Sequence, residues 1–473
     1  MYDYDLIVIG AGSAGLVSAK FAGRIGLKVA LIEKDMLGGD CTWRGCVPSK
    51  SLLHVAKLAH AARVGGQYGV HTAAPQVNLT QVRGYIDRVR QTVYQHETPE
   101  AVAEAGVEAI LGTARFTDPH TLTVDLNSGG TRSITGKKFI IATGAHPARV
   151  AIPGLDTVQY HTYETIFDNE TLPSRLITLG AGPIGMELSQ AYARFGAQVT
   201  IVADQIMPND EPEVRQTLRT VFEREGVRFS VGKVTQVSQA ANGEISVSVD
   251  NGEVVQGDML LVALGRVPSV RSLDLDKAGV AFSDKGVAVN TQLQTRQPHI
   301  YAAGDVLGGA QFTHYAGFQG SIAARNAVLP GSSNGMIEFL PWTTFTAPEA
   351  AHTGMTETQA RARYGDEVLV RSFPLDEGDR SLTEDDTDGF IKVVYKGNKL
   401  LGATVVAERA GEMINEYSIA LGQGWGVTEL SNTMHVYPSY GQIAANFASK
   451  LKVEALLNGV GGRALKLVRG LLG

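Results

Sequence analysis

The chain has two cysteines, in Gly38-Gly-Asp-Cys41-Thr-Trp-Arg-Gly-Cys46-Val-Pro-Ser-Lys50, with four residues between them. That spacing lets the sulfurs meet. Pro48 and Ser49 read as helix-start signals, and Leu52, Leu53, Ala56 and Leu58 continue an apolar helical spacing. Cys46 is therefore expected near a helix N-terminus, which favours the thiolate; Arg44 and Lys50 would add positive charge. A second Cys/His pair with ligand spacing is absent, so no metal centre is expected. Two cysteines in 473 residues cannot form a disulfide scaffold. The pair reads as redox-cycling.

The elements that must position this pair are written twice in the sequence. Residues 6–35, LIVIGAGSAGLVSAKFAGRIGLKVALIEKD, align without a gap on residues 176–205, LITLGAGPIGMELSQAYARFGAQVTIVADQ. Gly10, Gly12, Gly15 and Gly26 match Gly180, Gly182, Gly185 and Gly196. Each copy opens with a continuous apolar run, as a strand buried on both faces requires. A glycine turn, a helical stretch and a second apolar strand follow. This is the dinucleotide-binding βαβ pattern, twice: glycines for the turn, for approach to a pyrophosphate and for helix–strand packing. The helix N-terminus supplies amides and positive potential to the phosphates. The second strands differ at their ends. The first carries Glu33, placed for ribose hydroxyls; the second carries Ala203 and then Asp204. The two sites are expected to hold different dinucleotides, or to hold them differently.

Composition bounds the rest. At roughly 150 residues per domain, the length suggests about three domains. Hydrophobic residues at 44% and charged residues at 19% allow large cores and exclude wholesale disorder. The net charge of −6 does not suit a polyanion binder. No apolar run is long enough for a membrane span. Met1-Tyr-Asp-Tyr-Asp5 lacks the features of a signal peptide, so a cytoplasmic location is expected.

Taken together, GAGSAG, GGDCTWRGCVPSK, Ala142-Thr-Gly144, GAGPIGME, Ala263-Leu-Gly-Arg266, Tyr301-Ala-Ala-Gly-Asp305 and Phe345-Thr-Ala-Pro-Glu349 resemble the class I pyridine nucleotide–disulfide oxidoreductases, in the family's order and over essentially the whole chain. That family includes dihydrolipoamide dehydrogenase, glutathione reductase and mercuric reductase. The resemblance implies an α/β fold with two Rossmann-like dinucleotide domains and an α+β dimerisation domain. The implied FAD domain is 1–148 with 273–338, the NAD(P)H domain 149–272 and the interface domain 339–473. It implies a homodimer holding FAD tightly without a covalent bond.

Carried over residue by residue, the FAD contacts are Gly10, Gly12, Ser13, Ala14, Gly15, Glu33, Lys34, Gly39, Asp40, Cys41, Lys50, Ala142, Thr143, Gly144 and Gly304, with Asp305 on the ribityl chain and Ala114 and Thr313 through backbone. The NAD(P)H contacts are Gly180, Gly182, Pro183, Ile184, Gly185, Ala203, Asp204, Val237 and Gly265. Cys46 would face the flavin as a thiolate and Cys41 would attack the substrate. Lys50 and Glu187 match a family ion pair near the flavin's reactive nitrogen, where a cation would stabilise the reduced anion and the carboxylate would offset the cost of burying the Lys.

The chain departs from the family in three places. Disulfide-reducing members carry a His, the thiol's acid–base group, with a Glu five residues later; here those positions hold Tyr437 and Gln442. A tyrosine with a pKa of about 10 is a poor proton shuttle at neutral pH. Either His435 takes the role from two residues upstream, or the substrate needs no base. Mercuric reductase is similar in having Tyr there, and Ala310-Gln-Phe-Thr-His-Tyr-Ala316 looks like that branch, but its C-terminal Cys pair and N-terminal metal-binding Cys module are missing. Second, Pro183 replaces a Tyr that gates the nicotinamide pocket in many relatives, so access should be more open. Third, Asp40 stands where Thr is usual; its carboxylate would repel FAD phosphates unless it bonds backbone or water.

Ala203 to Asn209 contains no Arg or Lys for a 2′-phosphate, so NADH is favoured over NADPH. The expected reaction is electron transfer between NAD(P)H and a small or protein-bound disulfide/dithiol through Cys41 and Cys46, as in dihydrolipoamide dehydrogenase. The alternatives are a metal-ion or quinone reductase of mercuric-reductase type and a catalytically silent flavoprotein. A basic apolar tail, 461–473, could touch a membrane surface, although packing on its own protein is the preferred reading.

Overall fold

The computed structural model describes residues 1–458; the tail at 461–473 lies outside the described residues. In chain order the first sequence copy forms β1 (Tyr4–Ile9), α1 (Ser13–Arg24) and β2 (Val29–Glu33). The cysteine segment forms α2 (Gly39–Trp43) and α3 (Cys46–Val64). Three more strands follow: β3 (Val107–Asp118), β4 (Thr121–Leu126) and β5 (Thr131–Ile141). The second copy forms β6 (Arg175–Ala181), α4 (Pro183–Phe195) and β7 (Gln198–Ile206). Then come β8 (Arg228–Val231), β9 (Met259–Val262), β10 (Ile300–Ala302) and α5 (Thr313–Val328).

The described chain divides into two compact units, residues 1–205 with 226–337, and residues 206–225 with 338 onward. In the first unit, β1 lies between β2 and β5, both parallel to it, and β10 extends the sheet beyond β5. Apolar side chains on both faces make this possible: Leu6, Ile7, Val8, Leu31 and Ile140 are fully buried. Each such side chain contributes about 1.5–3 kcal/mol of transfer free energy. The second copy builds its own parallel sheet in the order β9-β6-β7-β8. The short strands Ala145–Pro147 and Arg266–Pro268 pair antiparallel where the chain crosses between the two sheets.

The two copies repeat each other in backbone detail. Gly10 and Gly180 have φ of +98° and +101°, and a Cβ at either would lie 2.4 or 2.5 Å from the carbonyl of Ala142 or Ala263. Gly15 and Gly185 press on Gly10 and Gly180: a Cβ on either would lie 1.8 or 2.0 Å from that glycine's carbonyl oxygen. The turn therefore excludes any side chain at its first and third glycines. The duplication extends to the loops that follow β5 and β9.

The second unit is a five-stranded antiparallel sheet in the order Trp342–Thr344, Glu349–Gly354, Lys399–Ala407, Phe390–Lys396 and Val368–Pro374. Helices Ala410–Gly422 and Tyr440–Asn458 complete a core of Ile391, Val393, Val405, Met413, Ile414 and Phe447. Residues 206–225, expected inside the nucleotide insertion at 149–272, group with this unit. The reason is ionic. Lys392, with its side chain 2% exposed, is surrounded by Glu211, Glu213 and Glu357 at 3.2, 2.8 and 2.9 Å. A buried ammonium requires such partners, and two of the three come from residues 206–225.

Candidate active site

The site is built around the cysteine pair. Helix α3 begins at Cys46, two residues before the start signals at Pro48 and Ser49. Pro48 falls in the first turn, where its missing N–H is tolerated. No side chain caps the helix at Gly45, and Cys46 is its first residue, at the positive end of the helix dipole, which favours a thiolate. Cys41 is carried by α2. Both cysteines are free thiols, partly exposed, and they approach to 3.6 Å.

The Cys46 sulfur also lies 3.1 Å from Thr313 Oγ1, the first residue of α5. The Cys46 thiol is pulled down to about 6, first by the hydrogen bond from Cys41, against the penalty of burial, with Thr313 and the Lys50 charge assisting. The same bond and burial push Cys41 upward. The pair is thus polarised into a thiolate at Cys46 and a thiol at Cys41. Lys50 Nζ is 2.9 Å from Glu187 Oε2. Lys50 is 39% exposed and Glu187 only 7%, so the lysine compensates the buried carboxylate.

Beside the thiols lies the first dinucleotide cradle. Helix α1 has no side-chain cap, and a Cβ at Gly12 would meet nothing within 4 Å, so the amides of Ser13, Ala14 and Gly15 face open space. Gly39 closes on Gly12, 2.7 Å from a Cβ position to its Cα. Glu33 accepts from the backbone N–H of Ala11 at 2.8 Å and of Asp35 at 2.9 Å. Burial raises its carboxyl above the usual range. Two of its four lone-pair sites remain for ribose hydroxyls. Strand β3 leaves β2 after the Glu33–Leu111 pair, so Ala114 stands past the end of that pairing with backbone available. Lys34 contributes its carbonyl to Asn127. Ala142, Thr143 and Gly144 form the loop against Gly10, where Thr143 Oγ1 donates to Ser269 O at 2.7 Å. Gly304 N donates to Gln319 Oε1, and Asp305 follows it with its carboxyl raised by burial. These residues fit a bound dinucleotide such as FAD.

The second cradle is similarly open. Gly182 has nothing within 4 Å of a Cβ position, Pro183 is the first residue of α4, and Gly265 is unobstructed. Pro183 is exposed and Ile184 half-buried, while Gly185 packs on Gly180. Ala203 is half-buried and Asp204 exposed. Val237 places its side chain in the core and donates its N–H to Pro153 O at 2.9 Å.

Asp40 is neutralised by side chains, rather than by the backbone or water that the sequence leads one to expect. Its Oδ2 accepts from Arg266 at 3.2 Å and from the Tyr163 hydroxyl at 3.1 Å. Arg266 donates also to Asp305 Oδ2 at 2.7 Å. Sequence reasoning missed Tyr163, and it gave Arg266 no role although the residue ends a quoted motif.

The C-terminal stretch lies in the second unit. His435 Nδ1 is 2.9 Å from Thr433 O and Nε2 is 3.1 Å from Glu416 Oε2. Both ring nitrogens face oxygen acceptors, so neither is free to take a proton from a thiol without breaking a bond. Tyr437 is 64% exposed, and a hydrogen bond to Asp379 holds its hydroxyl above the ordinary phenol range. Gln442 donates its backbone N–H to Ser439 Oγ in the first turn of the last helix. A cavity of about 400 Å³ next to this stretch is lined by Arg380, Arg409, Glu416 and Tyr440.

Among the described residues no cluster of potential metal ligands occurs, and no helix is long and apolar enough to cross a membrane. The family described as pyridine nucleotide-disulphide oxidoreductase matches residues 4–320, and its dimerisation domain matches residues 340–446. A mercuric reductase from Bacillus cereus is 36% identical, over 92% of this chain and 69% of its own length. A dihydrolipoyl dehydrogenase from Thermus scotoductus is 33% identical over 96% of this chain and 99% of its own. The HOCl-induced flavoprotein disulfide reductase RclA from Escherichia coli superposes with a TM-score of 0.84 at 27% identity, covering 94% of this chain and 99% of that one. LpdA from Mycobacterium tuberculosis superposes with a TM-score of 0.86 at the same identity, covering 94% and 99%. With two glycine cradles, a polarised dithiol and family matches along most of its length, the chain belongs to the pyridine nucleotide–disulfide oxidoreductases, enzymes that bind FAD and use NAD(P)H.

Proposed function

We propose that this chain is a homodimeric, NADH-preferring flavoenzyme that passes two electrons between NADH and a disulfide/dithiol substrate, as a dihydrolipoamide dehydrogenase does. The observation that carries this reading is the polarised pair: Cys41 and Cys46 in contact at 3.6 Å, with the Cys46 thiol pulled down to about 6. In this reading the FAD domain is 1–148 with 273–338, the interface domain is 339–473, and the NAD(P)H domain is 149–272 apart from residues 206–225, which group with the second unit. Two unbridged thiols suit a reducing cytoplasmic compartment.

In the direction of disulfide reduction, the Cys41 sulfur loses its proton and attacks one substrate sulfur. The substrate S–S bond breaks and the first product leaves as a thiolate that takes up a proton. The Cys46 thiolate then attacks Cys41 Sγ, forming the Cys41–Cys46 disulfide and expelling the second product as a thiolate that takes a proton from solvent. One hydride equivalent from NADH restores the Cys41 thiol and the Cys46 thiolate. Bound FAD supplies the two-electron relay between nicotinamide and sulfur. Gly10, Gly12, Ser13, Ala14, Gly15, Glu33, Gly39, Ala142, Thr143, Gly144, Gly304 and Asp305 would hold it. Lys50, steadied by Glu187 at 2.9 Å, would supply positive charge to it.

NADH preference rests on charge. Asp204 would repel a 2′-phosphate, and no cation stands between Ala203 and Asn209. Arg215, the next cation along the chain, directs Nε and Nη2 at the carbonyls of Met207, Pro208 and Asp210.

A second reading, reduction of a metal ion, has one observation in its favour: neither His435 nor Tyr437 offers a free base, and metal-ion reduction at a dithiol needs none. RclA also exists as a Cu(II) complex. Anaerobic titration tests the main reading. The protein should take up two electrons before the flavin bleaches, with a long-wavelength thiolate–flavin band. Persistence of that band in Cys46→Ser defeats the assignment. Lipoamide, glutathione disulfide, Hg²⁺, Cu²⁺ and a quinone, each with NADH and NADPH, then separate the two readings.

A further inference from the structure

We propose that Asp40 is a positioning residue for Cys41, acting through a clamp of Asp40, Tyr163, Arg266 and Asp305. The inference rests on the thiol chemistry proposed above. The four residues come from remote stretches: helix α2, the loop before residue 165, the crossing strand Arg266–Pro268 and the turn Asp305–Leu307. Arg266 donates to Asp305 at 2.7 Å, to Asp40 at 3.2 Å and to the Tyr163 hydroxyl at 3.3 Å; that hydroxyl donates to Asp40 at 3.1 Å. The guanidinium also lies 5.3 Å from the Tyr163 ring centre. Only an arginine offers a planar fork able to serve three acceptors at once. The Arg266, Asp40 and Asp305 side chains are 17%, 28% and 16% exposed, so solvent screens them little.

The clamp matters because α2 cannot hold itself. It has five residues and no side-chain cap, and a helix that short is not stable alone. Its side-chain anchors are Thr42 and Trp43 on the C-terminal side of Cys41, the latter donating from Nε1 to Leu37 O at 2.8 Å, and Asp40 on the N-terminal side. Asp40 enters the clamp, and Thr42 Oγ1 donates to Glu97 Oε2 at 2.8 Å. Cys46 differs, since nineteen residues of α3 set its place. Removing the Asp40 anchor therefore frees Cys41 selectively. Thiol exchange needs the substrate sulfur, Cys41 and Cys46 in line, so it is sensitive to that freedom. Reduction of an acceptor that reacts directly at the flavin needs no Cys41.

The test uses the holoenzyme reduced with dithiothreitol, freed of reductant, treated with iodoacetamide and mapped by peptide mass. Cys41 alkylation should be several-fold faster in Asp40→Ala than in wild type. Asp40→Asn, which keeps an acceptor oxygen, should restore most of the wild-type rate. Lipoamide reduction by Asp40→Ala should fall about tenfold further than quinone reduction, the scale expected for misplacing a reacting group. Tyr163→Phe, which removes the hydroxyl's two clamp bonds and leaves those of Arg266 to Asp40 and Asp305, should lie between Asp40→Ala and wild type in both measurements, and it serves if Asp40→Ala does not fold. Equal Cys41 alkylation in variants and wild type, or a parallel loss of both activities with FAD, overturns the proposal. Absence of disulfide activity in the wild type would defeat the functional reading, while the alkylation comparison would still decide the clamp.

Discussion

Thr313 Oγ1 lies 3.1 Å from Cys46 Sγ although 267 residues separate them in sequence. The contact brings the N-terminus of α5 to a sulfur that already sits at the N-terminus of α3, so two sets of helix amides and one hydroxyl favour negative charge at one atom. The thiolate should be present above a midpoint near 6 and lost as pH falls through it. Thr313→Val removes a bond that exists for the charged form, so the midpoint of the thiolate–flavin band should rise, on the order of one pH unit. An unchanged absorbance titration would show that the hydroxyl does not serve the thiolate.

The duplicated turn allows the two nucleotide sites to be disabled separately. Gly180→Ala places a methyl 2.5 Å from the Ala263 carbonyl at φ +101°. Backbone strain of about 1–3 kcal/mol is expected, concentrated where the second dinucleotide's phosphates would rest. FAD content should stay at the wild-type ratio while NADH-dependent reduction falls by about a hundredfold or more. Loss of flavin with equal severity would mean that the two cradles are not independent.

Much of this was legible in the sequence because it is local. The glycine turns, the apolar runs of β1, β2 and β6 and the four-residue cysteine spacing each specify their geometry over a dozen residues. The clamp on Asp40 was not legible, since Arg266 is 226 residues away and no local pattern pairs them. The pattern of Pro212–Arg224 announces an amphipathic helix, but not which unit it covers; that depends on Lys392 finding Glu211 and Glu213. The partner of His435 was hidden for the same reason, Glu416 lying on the helix Ala410–Gly422 while His435 lies in the loop before Tyr440.

His352 should govern part of the acid stability. It is 2% exposed, its ring centre 4.4 Å from that of Trp342 and tilted by 33°, with Thr404 Oγ1 at 2.8 Å from Nδ1 and Gly354 O at 3.1 Å from Nε2. Those partners suit a neutral ring donating from Nε2. Burial lowers its pKa from 6.5 to about 4. The folded value is depressed, so the neutral ring's contribution is complete above pH 6.5 and is lost as pH falls toward 4, amounting to a few kcal/mol at most, or roughly 3. His352→Gln should flatten urea stability between pH 6.5 and 4 while lowering it at pH 7. An acid limb as steep as that of wild type would place the titration elsewhere.

His435 is predicted to be structural. Its two nitrogens are engaged by Thr433 and Glu416. His435→Asn should change kcat for lipoamide by less than about threefold, against the 10²–10⁴-fold typical of losing a general acid or base. A larger fall, with loss of the basic or acidic limb of the pH profile, would show that the ring leaves Glu416 during turnover and acts on the thiol.

Nucleotide choice is predicted to follow from the end of β7. Asp204 is exposed there, and it stands where a cation would be needed to meet a 2′-phosphate. Asp204→Arg replaces a repulsive charge with a bidentate donor, so KM for NADPH should fall by about tenfold while KM for NADH rises slightly, since two charge units change at a solvent-screened position. Gln205→Arg adds a donor without removing the acid and should give a smaller gain. If wild type already uses NADPH as well as NADH, or if Asp204→Arg leaves the ratio of kcat/KM unchanged, the 2′ position is not read by this strand end.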